Sequence, residues 1–175
     1  TLRLSFTTSA PAEIAERMAA LYRFARSTVE RHGGVIDKFA GDAVMASFNV
    51  SGTSVSHAVD ALETALTLRD KAALMDLPLG IGIATGAAIL GRGASDANMA
   101  VTGVATNLAA RLQAAAGAGE ILLSDETQRR VEPWLGERGL EWERQELTLK
   151  GFDEPQVGHR LPAPSAIGLA ADLVS

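Results

Sequence analysis

Cysteine is absent from this chain. That excludes disulfides, thiol nucleophiles and thiolate metal sites, and it fits a reducing compartment. Basic clusters are missing as well: lysine and arginine are scattered, the net charge is −5, and no nucleic-acid partner is expected. A small anionic ligand needs only local positive groups and is not excluded. The 3 histidines, His32, His57 and His159, lie far apart without metal-ligand spacing. No apolar run approaches the roughly 18 residues that span a bilayer, and no basic stretch leads into an apolar one as in a signal peptide. The expectation is a soluble, cytoplasmic domain making no membrane contact of its own, with fused regulatory domains allowed in a longer protein. What is plentiful is apolar: 47% of 175 residues against 21% charged, enough for one domain with a substantial core.

Internal repeats and low-complexity tracts are also lacking. Leu2 to Phe6 reads as a short strand, and Ser9, Pro11 and Glu13 signal a helix start ahead of Ile14, Met18, Leu21, Ala25 and Val29. Gly33-Gly34 ends that helix. A hairpin of Val35 to Phe39 and Ala43 to Phe48 follows, with Gly41-Asp42 at its turn. After a polar loop comes a helix with Ala58, Leu62, Ala65 and Leu66 inward, closed at Pro78. "LPLGIGIATGAAILGRG" predicts two buried strands around Thr85-Gly86. Gly80, Gly82 and Gly86 miss the G-x-G-x-x-G spacing and precede no helix, so they are read as points of close backbone approach within a sheet.

The stretch "NMAVTGVATNLAARLQAAAGAGEILLS" predicts strand, turn, helix, glycine stop and strand, with Leu108, Leu112 and Ala115 on the helix's packed face. Val104 is read as packing. Asn107 and Arg111 are spaced i, i+4, which puts both on one helix face one turn apart. A short helix spans Asp125 to Val131, and two or three strands close the domain at residues 1–161. Residues 162–175 read as a tail or linker, in which Ala166 to Val174 form a short docked helix. The fold class is α+β, a mixed and mainly antiparallel sheet with helices packed on it.

Three segments in this order, "HGGVIDKFAGDAVMASF", "LGIGIATGAAILG" and "GVATNLAARLQAAAGAGEILLSDET", resemble the catalytic domain of class III adenylate and guanylate cyclases. The closing "LTLKGFDEP" is similar to that family's last strands. The resemblance implies the family's ferredoxin-like palm and a phosphorus-oxygen lyase that turns ATP into 3′,5′-cyclic AMP and pyrophosphate for signal transduction. Cyclisation aims the ribose 3′-hydroxyl in line at the α-phosphorus, so charge accumulates on the phosphoryl oxygens. Two divalent ions, Mg²⁺ or Mn²⁺, are expected per site. By the resemblance Asp42 is a metal ligand, where an isolated reading allows a turn-capping Asp. Lys38 matches the adenine-recognising position and Ala100 the second base-contacting one. Asn107 orients the ribose, Arg111 stabilises the pentavalent phosphorus, and Lys150 reaches the terminal phosphates. The family's sites are shared across a head-to-tail homodimer, which implies contacts around Ala94 to Ala100.

Two positions depart from the pattern. The family's F-x-D-I-x-G-F-T motif carries the first metal aspartate, whereas here Phe6 is followed by Thr7-Thr8-Ser9-Ala10. Either Thr8 occupies the metal position or the motif's central segment is missing between Phe6 and Thr7, and the short connection fits the second. At the base site Ala100 replaces the usual Asp or Thr. These departures keep a second function open, a degenerate and non-catalytic cyclase homology domain that binds nucleotide or dimerises. A diguanylate cyclase is disfavoured, since no G-G-D/E-E-F segment occurs.

Overall fold

The computed structural model describes residues 1–6, 12–40, 43–77, 79–92 and 99–164. Within them a 7-stranded sheet runs β2-β3-β1-β4-β7-β9-β8. Its strands are β1 (Leu2–Phe6), β2 (Gly34–Ala40), β3 (Ala43–Phe48), β4 (Leu79–Ile83), β7 (Ile121–Ser124), β8 (Glu143–Leu147) and β9 (Gln156–Leu161). The pairing of β4 with β7 is parallel, and the other pairings in this sheet are antiparallel. The expected mixed, mainly antiparallel sheet is therefore present.

One sheet face is covered by α1 (Ala12–Arg31), α2 (His57–Leu74) and α4 (Asp125–Glu137). Leu21, Ala25 and Val29 of α1 are buried, as their spacing predicts, and so are Ala58, Leu62 and Ala65 of α2. Of these, Leu21, Ala25, Ala58, Leu62 and Ala65 meet Val44, Leu79, Ile81, Ile83, Ile121 and Leu123 from the sheet in one aliphatic core. Helix α4 runs six residues past the expected Val131, through Pro133. Proline removes a helix hydrogen bond and clashes with the preceding turn, at a cost of about 3 kcal/mol. Burial of Val131 and Leu135, with Trp134 packed on the same core, offsets that cost.

Among the described residues the opposite face carries a single helix, α3 (Val104–Ala115), over β1, β4 and β7. Its buried residues are Ala105, Ala109 and Leu112, with Leu108 and Ala116 partly buried beside them. Ala115, expected on this face, is exposed, because the stripe 105-109-112-116 leaves position 115 on the far side of the turn. The strand after Thr85-Gly86 also departs from expectation. β5 (Ile89–Arg92) leaves the main sheet and pairs only with β6 (Met99–Thr102) in a separate two-stranded sheet, so Ile89 is 73% exposed rather than buried. The docked helix expected at Ala166 to Val174 lies outside the described residues.

Candidate functional site

The glycines of "LGIGI" explain why α3 lies where it does. A Cβ on Gly82 would fall 2.3 Å from the Ala109 carbonyl oxygen and 2.4 Å from the Gln113 nitrogen, and one on Gly80 would fall 3.0 Å from the Ala116 oxygen. Both contacts are with backbone, so only glycine lets the helix settle onto β4. The small residues Ala105 and Ala109 complete the seat from the helix side. Close seating fixes the helix's rotation, and that rotation presents Asn107 and Arg111 to solvent, one turn apart on the outward face. Asn107 is held in the first turn by its backbone N–H donating to the Gly103 oxygen at 3.2 Å.

Lys150 reaches the same face by another route. It occupies the turn between β8 and β9, exposed, while its neighbours Leu149 and Phe152 pack into the cluster formed by Ala105, Ala109 and Leu112. The Phe152 N–H closes the turn on the Leu149 oxygen at 3.1 Å. Two apolar anchors thus bring Lys150 beside α3. The alternation of "LTLKGF", with apolar residues on either side of the lysine, is the signal of this placement in the sequence.

Lys38 belongs to edge strand β2, and its place depends on an irregularity. Ile36 pairs with Ala46, but Lys38 pairs with Met45, so Asp37 is an extra residue at a β-bulge. Directly paired residues share a sheet face. The row Lys38, Met45, Arg3, Gly82 therefore crosses the sheet on the α3 face, since Gly82 is where α3 sits. Regular alternation would instead have set Lys38 opposite Val44, in the buried row of Val44 and Ile81 on the core face. The sequence carried a sign of this in Ile36-Asp37-Lys38-Phe39, where two polar residues separate two apolar ones and strict alternation fails.

Asn107, Arg111, Lys150 and the position of Lys38 thus share one face of the sheet. Gly41 and Asp42 fall between the paired residues Ala40 and Ala43 but lie outside the described residues, as do Thr8 and the expected contact segment up to Asn98. Ala100 sits in β6 opposite Gly91. Val104 is not packed as expected: it opens α3 at 70% exposure, outside the buried stripe that begins with Ala105. Among the described residues, no group of three or more His, Cys, Asp and Glu gathers to hold a metal ion, and no helix is long and apolar enough to cross a membrane.

Other polar features lie apart from these residues. A cavity of ≈ 170 Å³ is lined by Ser47, Asn49, His57, Thr85 and Gly86, at the end of β3 remote from the Ala40–Ala43 turn. It is smaller than the roughly 300–1,000 Å³ that enclose drug-sized ligands. Beyond it Thr85 and Thr127 hydroxyls are 2.9 Å apart, as are those of Ser124 and Thr127. The buried His159 donates from Nε2 to Asp125 Oδ1 at 3.0 Å, and that bond holds the Asp125 carboxyl below its ordinary range.

Comparison with known proteins bears on this arrangement. The family model described as "Adenylate and Guanylate cyclase catalytic domain" matches residues 3–161. An uncharacterized protein of Mycobacterium tuberculosis (strain CDC 1551 / Oshkosh) is 32% identical over 176 residues, covering 92% of this chain and 30% of that protein. The chain spans only 15% and 30% of the lengths of the two curated relatives it matches. The adenylyl cyclase CyaB from P. aeruginosa superposes with a TM-score of 0.77 at 22% identity, over 94% of this chain and 93% of that one. The guanylyl cyclase Cya2 does so at 0.79 and 20% identity, over 94% and 91%.

Proposed function

The chain belongs to the adenylate and guanylate cyclase catalytic domain family, and from that premise we propose that it is an adenylate cyclase, forming 3′,5′-cyclic AMP and pyrophosphate from ATP. The observation that carries this reading is the exposed Asn107 and Arg111 pair, aimed outward by a helix that glycines seat against the sheet. Arg111 supplies a fixed positive charge where the α-phosphoryl group becomes five-coordinate, and Asn107 holds the ribose so that the 3′-hydroxyl attacks in line. Lys150, beside α3, binds the terminal phosphates as a compact cation. Lys38 donates to a ring-nitrogen acceptor of adenine, and this contact selects ATP, since the similar folds include adenylyl and guanylyl cyclases alike.

Asp42 is the carboxylate this sequence offers for Mg²⁺ or Mn²⁺; at the other metal position either Thr8 stands or the segment that carries the aspartate is missing between Phe6 and Thr7, and the short connection fits the second. With Thr8 there, a hydroxyl lacks the charge that a second ion requires, and the donor set in this sequence does not fit the expected pair of ions. The steps above therefore rest on the chain's own cations and amide.

The site is completed by a second copy, head to tail. Ile89 and Val104, large apolar residues open to solvent at the β5–β6 sheet and the start of α3, support this assembly, because such exposure beside a polar site marks a contact surface.

The test is cyclic AMP formation from ATP with Mn²⁺, with Arg111→Ala as control. Activity that this control abolishes is expected. Mixing Arg111→Ala with Asp42→Ala should restore part of it, because one of the two sites in a mixed dimer then regains every group. A dimer that binds ATP but turns none over would instead support the non-catalytic reading, which Thr8 motivates.

A further inference from the structure

Asp37 is a buried carboxylate that the mechanism above leaves unused. It is 6% exposed, and the Ser47 hydroxyl of β3 donates to its Oδ2 at 2.6 Å. A carboxylate out of water costs free energy unless hydrogen bonds or charges hold it, so a buried Asp in a strand between Ile36 and Lys38 calls for an explanation. Its place in the register supplies one. Asp37 is the extra residue of the bulge, the point at which β2 shifts so that Lys38 pairs with Met45. Ser47 lies two residues from Met45 on the same strand and therefore on the same face. The Asp37 to Ser47 bond consequently ties the bulged residue to the neighbouring strand, on the face that carries α3.

We propose that Asp37, held by Ser47, is a positioning residue for base selection: it clamps the bulge whose register shift sets Lys38 opposite Met45 rather than Val44. The inference rests on the reading of Lys38 as the adenine-contacting group and adds what fixes that group in place. Bulges beside functional sites re-aim side chains in this manner. Two forces act together here. Ile36 pairs with Ala46 and Phe39 with Val44, two adjacent core-face positions of β3, so the register leaves an extra residue between them. The hydrogen bond then determines that the extra residue is held rigidly, so that Lys38 discriminates between bases through one defined geometry and not through a distribution of them.

The test measures the ratio of affinities for methylanthraniloyl-ATP and methylanthraniloyl-GTP, together with kcat/KM for ATP and GTP. Both ratios are independent of the fraction of protein that is folded. Lys38→Ala is expected to erase the preference for ATP. Asp37→Ala and Ser47→Ala, each removing one side of a charge-assisted hydrogen bond, should lower the preference about tenfold. Asp37→Asn, whose amide oxygen still accepts from Ser47, should keep the ratio within about threefold of wild type. Should Asp37→Ala fail to fold, Ser47→Ala decides. If Lys38→Ala loses the preference while Ser47→Ala and folded Asp37→Ala keep it, the clamp is wrong and the reading of Lys38 stands. An Asp37→Asn variant as poor as Asp37→Ala also overturns the clamp. If Lys38→Ala leaves the ratio unchanged, or the wild type binds neither nucleotide, the reading of the site fails and takes the clamp with it.

Discussion

The two faces of the sheet are built on opposite principles. On one, α1, α2 and α4 bury large aliphatic side chains, Leu21, Leu62, Leu68, Ile81 and Ile121 among them, in a continuous core. On the other, α3 approaches over Gly80, Gly82, Ala105 and Ala109, where little side-chain volume is available. A thick layer stabilises through area removed from water, about 25 cal/mol per Å², and tolerates small shifts. A thin layer contributes less, yet it fixes where a backbone lies to within tenths of an ångström. Free energy of folding is concentrated on the first face and geometric accuracy on the second.

This division has measurable consequences. The largest effect on activity with the smallest on stability belongs to Arg111→Ala. The side chain is exposed on α3, so its removal should leave the unfolding midpoint within about 2 °C of wild type. Cyclisation should nonetheless fall roughly a thousandfold, the scale for losing a preorganised charge at a transition state. Steady-state kinetics beside a thermal melt would show both. Leu62→Ala probes the other face. Leu62 is fully buried in α2, and truncation should cost about 3 kcal/mol by urea denaturation. The folded fraction should keep its kcat/KM, and a loss there would mean that the core face also sets the site geometry.

Gly82→Ala connects the two faces. The added methyl would strike backbone at 2.3 and 2.4 Å, so α3 must move. Overpacking of this kind costs about 2 kcal/mol. Activity should drop as well, beyond what the unfolded fraction accounts for, because Asn107 and Arg111 move with the helix. A variant that loses stability and keeps full activity would show that α3 can be displaced without consequence, and the contrast between the faces would no longer hold.

Much of this was legible in the sequence, for reasons that differ by residue. The core face was readable because apolar spacing at Leu21, Ala25 and Val29 or at Ala58, Leu62 and Ala65 has one common outcome, burial. The glycines of "LGIGI" were readable as close approach, although which element approaches is a tertiary fact. Val104 and Ile89 were misread because the rule runs one way: buried residues are apolar, but apolar residues are not always buried. Ala115 failed for a narrower reason, since alanine spacing does not set a short helix's rotation when glycines across the interface do. The bulge at Asp37 is only half legible: the adjacent polar pair breaks the alternation, but the pairing alone tells a bulge from an ordinary strand edge.

The smallest expected effect lies at the edge of the core face, where Asp125 opens α4 and accepts from His159. The bond to His159 is the main cause that depresses the Asp125 carboxyl, and Arg129 one turn along acts in the same direction. A group depressed on folding adds stability above its unfolded pKa, near 4, and that stability is lost as pH falls through the lower folded value. Asp125→Asn should therefore be less stable than wild type at pH 6, with the difference closing as pH falls below about 4. Because Asp125 is half exposed, solvent screening limits that difference to about 0.5 kcal/mol. Paired urea titrations at pH 6 and pH 3 would resolve it, and Arg111→Ala should show no such pH-dependent difference from wild type. The result would separate the faces once more: charge on α4 acts on folding, whereas charge on α3 is held away from the core and acts on what binds there.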